Sequence, residues 1–148
     1  MAAVAATVAA TVGLAACLNT DAADQKVIDR LTRLDVLTVP PRGSELSRTS
    51  AKGGGNQAIR TPSTATVVYA TTRAPAEVGQ DFHSRFDSTW RFVDNPGGPL
   101  GGWQGSGALV SDPGTVANVL ARRVTPSDKA PGGSQSVVTV TVSATRPA

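Results

Sequence analysis

Residues 136–145 read SVVTVTVSAT and give the clearest structural signal in this sequence. Val138, Val140 and Val142 alternate with threonine, so the apolar side chains recur with a period of two. That period is typical of a β-strand with one buried face. The chain is therefore expected to contain a β-sheet of which this segment is one strand.

Four further segments predict strands, and most of them are rich in β-branched or alternating apolar residues. They are Thr64–Thr72, Thr89–Asp94, Trp103–Val110 and Thr115–Val124. The last segment is compatible with a strand or a helix, and its β-branched content favours the strand. Turns rich in proline and glycine separate several of these segments, so consecutive strands are expected to pair antiparallel.

Between the first two of these strands, residues Pro75–Ser88 predict a helix. Its initial proline suits the first turn, and Glu77 lies near the positive end of the helix dipole. Val78, Phe82 and Phe86 recur every four residues and form one apolar stripe. Such a helix packs on one face of a sheet, so the predicted fold class is α+β, with an antiparallel β-sheet and one helix packed on it.

The residues before 64 are expected to lie outside the packed core. Ala22–Leu37 has a helical pattern of apolar residues, and two consecutive prolines end that element because proline lacks a backbone N–H. Arg42–Ser63 contains several glycines, serines and threonines and little that is apolar, which indicates a long mobile loop. The predicted organisation is a globular domain over residues 64–148, preceded over residues 17–63 by an N-terminal helix and a flexible tether.

The first twenty residues differ from the rest, because no charged side chain occurs before Asp21. This stretch is too short, and too rich in alanine and threonine, for a membrane-spanning helix, and it matches the apolar core of a secretory signal. It ends in Leu14-Ala15-Ala16-Cys17, an aliphatic residue and two small residues followed by the only cysteine of the chain. The sequence therefore predicts a signal peptide over residues 1–16, removed before Cys17.

The Leu14–Cys17 pattern resembles the lipobox of bacterial lipoproteins. In that family a signal peptidase cuts before the cysteine, and the thiol carries a diacylglycerol with acyl chains such as palmitate. The acyl chains supply membrane affinity, at about 0.8 kcal/mol per buried CH₂. The resemblance implies lipidation at Cys17 and a location at the outer face of the cell membrane, with secretion as the alternative.

Together with Leu37–Pro41, Thr66–Tyr69 and Pro75–Val78, the lipobox gives the chain a resemblance to small uncharacterised lipoproteins of high-GC actinobacteria. The excess of arginine over lysine and the abundance of alanine, glycine, valine and threonine suit a high-GC genome. The resemblance implies a cell-envelope location and no known activity, so it transfers no catalytic residues. The expected partners are the membrane, through the anchor, and an envelope protein or wall polymer.

The composition excludes several kinds of site. One cysteine cannot form an intramolecular disulfide or a thiolate zinc cluster, and one histidine cannot form a zinc site built from several histidines. The net charge of +3 is dispersed, with Arg122-Arg123 the longest basic run, whereas a nucleic-acid-binding protein usually shows a basic stripe. The sequence therefore predicts no cofactor, no metal site and no nucleic acid partner.

Catalysis is not expected from the residues present. Asp81 and His83 project about 200° apart on the predicted helix and cannot pair, whereas Asp87 lies one turn from His83. No G-x-S-x-G sequence occurs. The leading hypothesis is a non-enzymatic binding or structural module. The alternative is a secreted hydrolase using Asp81, Asp87 or Asp94, which requires two of these carboxylates to face one cleft about 5–9 Å apart.

Trp103 and Arg91 are the candidate binding residues. Trp103 follows a glycine-rich turn, and it either packs on the sheet or lies exposed as a binding anchor, since tryptophan is enriched at interaction hot spots. Arg91 faces away from its two aromatic neighbours in the predicted strand. A small-molecule or peptide binder that uses the Trp103 loop is therefore a second alternative.

Overall fold

The fold combines an antiparallel sheet with two helices. It was obtained as a computed structural model that describes residues 11–55, 59–95 and 98–145, with side chains described from residue 21. The elements are α1 (Thr11–Leu31), β1 (Gly43–Ala51), β2 (Gly54–Gly55), β3 (Arg60–Thr61), β4 (Ser63–Thr71), α2 (Pro75–Trp90), β5 (Phe92–Asp94), β6 (Trp103–Leu109), β7 (Asp112–Arg123) and β8 (Ser136–Ala144). Short 3₁₀ turns lie at Asp35–Leu37 and Pro126–Asp128.

Six strands form the main sheet in the order β1-β4-β8-β7-β6-β5, and every neighbouring pair is antiparallel. The predicted strand over residues 136–145 is β8, which lies between β4 and β7 with Val140 opposite Val67 and Val119. Strands β2 and β3 form a small hairpin within the connection from β1 to β4. The predicted α+β class with an antiparallel sheet is confirmed.

Both helices pack on one face of the sheet, which we call the helix face. The α2 helix contributes its apolar stripe, and α1 and the following 3₁₀ turn contribute Val27, Leu31, Val36 and Leu37 to the same core. On the sheet, the buried partners include Val67, Val119, Val138 and Val140. The opposite side of the sheet, the open face, carries Thr66, Thr141 and Asn118 in one row across the strands.

The Arg42–Ser63 segment differs from the expected mobile loop. Residues Gly43–Ala51 form β1, which pairs with β4 along its length, and β2 and β3 follow it; residues 56–58 lie outside the described residues. The sequence lacks an apolar alternation here because β1 is an edge strand whose side chains are mostly exposed. The helix and strand before residue 64 therefore join the same sheet and core as the residues that follow.

Two helix boundaries also differ from expectation. The first helix ends at Leu31 instead of Leu37, and a 3₁₀ turn then places Val36 and Leu37 in the core. The second helix continues to Trp90, so β5 begins only at Phe92. The physical reason is that Trp90 extends the every-four-residue stripe of α2 by one more turn and is fully buried.

Candidate functional site

Four polar and aromatic side chains meet where α2 contacts the β5–β6 hairpin, and we call them the His83 cluster: His83, Asp87, Asp94 and Trp103. His83 Nδ1 lies 3.0 Å from Asp87 Oδ1, and His83 Nε2 lies 2.9 Å from Asp94 Oδ1. The Trp103 indole N–H donates to the same Asp94 oxygen at 2.8 Å. The cluster therefore joins one helix to two strands through the His83 imidazole and the Asp94 carboxylate.

Two glycines make this arrangement sterically accessible. A Cβ atom at Gly79 would lie 2.6 Å from Trp103 Nε1, and one at Gly105 would lie 2.6 Å from the Trp103 ring. Trp103 also packs near Phe82, with ring centroids 5.8 Å apart. The indole lies between Gly79 of α2 and Gly105 of β6, and any larger residue at either position would displace it. In this position its N–H points toward Asp94.

The electrostatics of the cluster favour a charged imidazole. The hydrogen bond that His83 donates to Asp94 raises the pKa of His83, desolvation opposes that rise, and the contact with Asp87 adds to it. The same contact with His83, followed by the Trp103 hydrogen bond, lowers the pKa of Asp94. Ionised carboxylates only accept hydrogen bonds, so both His83 contacts are hydrogen bonds only when both ring nitrogens carry protons. The protonated ring then has no lone pair with which to accept a proton or bind a metal.

The three carboxylates of the hydrolase alternative have different surroundings. Asp87 and Asp94 are brought together through His83, as described above. Asp81 lies instead beside two arginines, with Arg85 Nη1 at 3.1 Å and Arg73 Nη1 at 3.7 Å. Among the described residues, no group of three or more histidine, cysteine, aspartate or glutamate side chains is arranged to hold a metal ion.

Trp103 and Arg91 lie apart in the structure. Trp103 is half-buried and packs against the first half of α2, at Gly79 and Phe82, which agrees with the packed alternative for this residue. Arg91 is exposed and follows the last residue of α2, where it adopts a left-handed conformation with φ of 43°. The structure therefore does not combine these two residues into one binding surface.

Sequence reasoning identified one half of the His83 cluster and missed the other. The spacing of four residues predicted the contact between His83 and Asp87, which is confirmed. The contact with Asp94 depends on the reversal of the chain at Arg91, which returns β5 alongside α2. The reversal requires a left-handed backbone conformation at Arg91. Glycine is the residue that usually marks such a position, so an arginine there gives no signal in the sequence.

Cys17 lies in α1, and the contacts of this helix show how position 17 is connected to the rest of the fold. Position 17 lies within the α1 backbone, and its side chain lies outside the described residues. Asp21, four residues later, accepts a hydrogen bond from Lys52 Nζ at 3.1 Å, directly after the end of β1. Near the C-terminal end of α1, Arg30 Nη1 donates to Asp112 Oδ2 at 2.6 Å at the start of β7. The helix therefore contacts the sheet region through side chains in its middle and near its C-terminal end.

Comparisons with protein-family models, curated proteins and solved structures give no match to this chain. In the part of the chain that the structure describes, no helix combines the length and the apolar character needed to cross a bilayer.

Proposed function

We propose that this chain is a lipid-anchored protein of the cell envelope, held at the outer face of the membrane through Cys17. The observation that carries the proposal is the placement of the single cysteine after Leu14-Ala15-Ala16, the pattern of a lipobox at the end of an uncharged apolar segment. A thiol is the only nucleophile at that position that can form a thioether with a diacylglycerol. The acyl chains then provide the membrane affinity.

The folded part acts, in this proposal, as a non-enzymatic binding or structural module. Several of its ionisable side chains satisfy one another: His83 with Asp87 and Asp94, and Arg30 with Asp112. Catalytic acids and bases need a free position toward a substrate, so pairing of this kind supports binding or scaffolding more than chemistry. The partners are the membrane, through the anchor, and an envelope protein or wall polymer that contacts the folded part.

In this proposal the folded domain lies close to the membrane surface. The contact between Asp21 and Lys52 brings the chain next to the end of β1 only four residues after Cys17. Four residues span at most about 14 Å when fully extended. A lipid on Cys17 would therefore hold the folded domain against the bilayer surface instead of at the end of a long tether.

Replacing the cysteine tests the proposal. We expect the native chain, expressed in an actinobacterial host, to sediment with the membrane fraction and to carry the added mass of a lipid. Cys17→Ser should lose the lipid mass and leave the membrane fraction. A matched control combines Cys17→Ser with Thr20→Cys, which restores a thiol outside the Leu-Ala-Ala-Cys pattern and should stay unlipidated. A native chain without lipid mass, or membrane association that persists in Cys17→Ser, would contradict the anchor.

A further inference from the structure

The sheet has two edges that are protected to different degrees. The β5 edge is only three residues long, whereas the β1 edge is nine residues long and lies at the end of the sheet with most of its residues exposed. In an antiparallel strand, alternate residues direct their N–H and C=O groups away from the neighbouring strand. The outer side of β1 therefore presents a row of backbone groups that another strand can pair with.

Only part of β1 carries the features that usually prevent edge pairing. A bulge between Glu45 and Ser47 interrupts the ladder near the start of the strand. Residues 47–51, which read SRTSA, then pair with β4 in unbroken register. This run has no proline and no lysine, and its side chains other than Arg48 are small. Short length, bulges, proline and lysine are the common protections, so residues 47–51 form the open part of the edge.

We propose that this edge pairs with β1 of a second copy of the chain, antiparallel and about a two-fold axis at Thr49. Two six-stranded sheets then join into one continuous sheet. Such an interface is isologous, because the same residues contribute from both copies. The proposal goes beyond the lipid anchor and does not depend on it.

The charges on β1 exclude the two registers next to this one. Residues opposite each other in an antiparallel pair share a face of the sheet. A two-fold axis at Arg48 places the two Arg48 side chains opposite each other, and an axis at Ser50 places Arg48 opposite Lys52. Like charges directly opposite are destabilising. With the axis at Thr49, Arg48 lies opposite Ser50 and no like charges face each other.

The Thr49 register also extends contacts that already exist within the chain. On the open face, Thr49 lies opposite Thr66, and Thr66 lies opposite Thr141 with the two hydroxyl oxygens 3.0 Å apart. In the proposed pair, the two Thr49 side chains meet across the axis and continue this threonine row into the second copy. Threonine pairs across strands are favourable. The register further brings Lys52 level with the bulge beside Glu45 of the second copy, so on both sides of the axis opposite charges lie near each other in addition to the pairs of Lys52 with Asp21 and Arg48 with Glu45.

Sedimentation of the full chain tests the proposal. The Cys17→Ser background removes both lipid and thiol, so failure of the anchor and failure of this interface are separate results. We expect a concentration-dependent dimer, and Thr49→Lys, which places two lysines opposite each other, should weaken it by on the order of tenfold or more. Asn118→Lys is the matched control, because it adds the same charge to the same row of the open face, on β7, and should leave the dimer unchanged.

Cross-linking in the same background tests the register. Thr49→Cys should form a disulfide between two copies under mild oxidation, whereas Ser47→Cys alone should not. A mixture of Ser47→Cys and Ala51→Cys chains should cross-link, because the register places these positions opposite each other. A chain that remains monomeric at all concentrations, or a dimer that Thr49→Lys leaves unaffected, would overturn the proposal. Binding of an unrelated extended peptide along β1 without self-association would equally exclude a second copy as the occupant.

Discussion

His83 Nε2 lies 2.9 Å from Asp94 Oδ1, and this contact joins the middle of α2 to the last residue of β5. Asp94 is separated from His83 by about two turns of helix, a left-handed residue and the rest of β5. The contact thus reports whether the β5–β6 hairpin is docked against α2. Because it depends on the charge of both partners, the docking of this hairpin should depend on pH.

The stability of the fold should decrease on either side of a window set by this pair. The pKa of His83 is raised in the folded state, so its contribution is complete below its unfolded pKa of about 6.5 and is lost as the pH rises through the folded pKa. The pKa of Asp94 is lowered, so its contribution is complete above an unfolded pKa of about 3.9 and is lost as the pH falls through the folded pKa. Thermal unfolding from pH 3 to 9 should show both losses.

The variant His83→Gln provides the control for that pH dependence. It removes the titrating ring and should flatten the decrease in melting temperature on the alkaline side. Because the chain has one histidine, its imidazole proton signals in NMR report this group alone. An imidazole that titrates at or below the ordinary histidine pKa would contradict the assigned cluster.

Gly79→Ala should destabilise the protein although alanine is the better helix former. In an exposed helix, this change is favourable by about 1 kcal/mol. Here the new Cβ would lie 2.6 Å from Trp103 Nε1, so the indole must move and its hydrogen bond to Asp94 is strained. We expect a net loss of about 1–3 kcal/mol in the free energy of unfolding, measured in urea.

The matched change Gly132→Ala should be nearly neutral, because a Cβ atom at that position meets nothing within 4 Å. The near-ultraviolet circular dichroism of the tryptophans should change in Gly79→Ala and not in Gly132→Ala. Equal stability of the two variants would show that Trp103 does not pack against α2 as described.

Phe82→Ala should be among the most destabilising single changes. Phe82 is 1% exposed and contacts the rings of Phe86, Phe92 and Trp103, so its removal leaves a cavity where α2 meets the sheet. Comparable truncations cost about 3–5 kcal/mol, and we expect that loss in equilibrium unfolding. Leu100, which is 103% exposed at a turn, is the apolar control: Leu100→Ala should change the stability by less than about 0.5 kcal/mol.

Asp35→Ala should cost more than the exposure of Asp35 suggests. Its Oδ1 accepts hydrogen bonds from the indole N–H of Trp90 at 3.0 Å and from the Val36 N–H at 2.8 Å. Trp90 is fully buried, so loss of the acceptor leaves a buried donor unpaired, at a cost of about 1–3 kcal/mol. Asp35→Asn retains an acceptor oxygen and should lose less. Chemical denaturation of both variants compares them, and identical losses would argue against the Trp90 contact.

The predictable parts of this fold are those in which burial imposes a period on the sequence. The alternation of valine and threonine identified β8, and the spacing of Val78, Phe82 and Phe86 identified α2. The same logic failed for β1, because an edge strand exposed on both faces needs no apolar residues and resembles a loop in composition. It also placed Trp90 on a strand, although the four-residue spacing from Phe86 fits the helix equally well.

The candidate site divides in the same way between local and distant contacts. The contact between His83 and Asp87 follows from one helical turn, and the sequence predicted it. The contacts of Asp94 with His83 and Trp103 require the hairpin to return against α2, and the packing of Trp103 requires glycine at two positions on different elements. These contacts leave no periodic pattern in the sequence, because each depends on how whole helices and strands pack against one another.

The position of β8 between β4 and β7 has a consequence for the order in which the chain can fold. The β1–β4 hairpin and the β5–β7 meander each contain neighbours that are close along the sequence, and each can form without the other. They become one sheet only when β8 pairs with both. The pairs between β4 and β8 join residues far apart in the sequence, such as Ser63 with Ala144 and Thr71 with Ser136. Helix α1 is synthesised before all of these strands, yet it docks on β4 and β8. The apolar side of α1 is therefore completely covered only after β8, the last strand, has been synthesised and has paired.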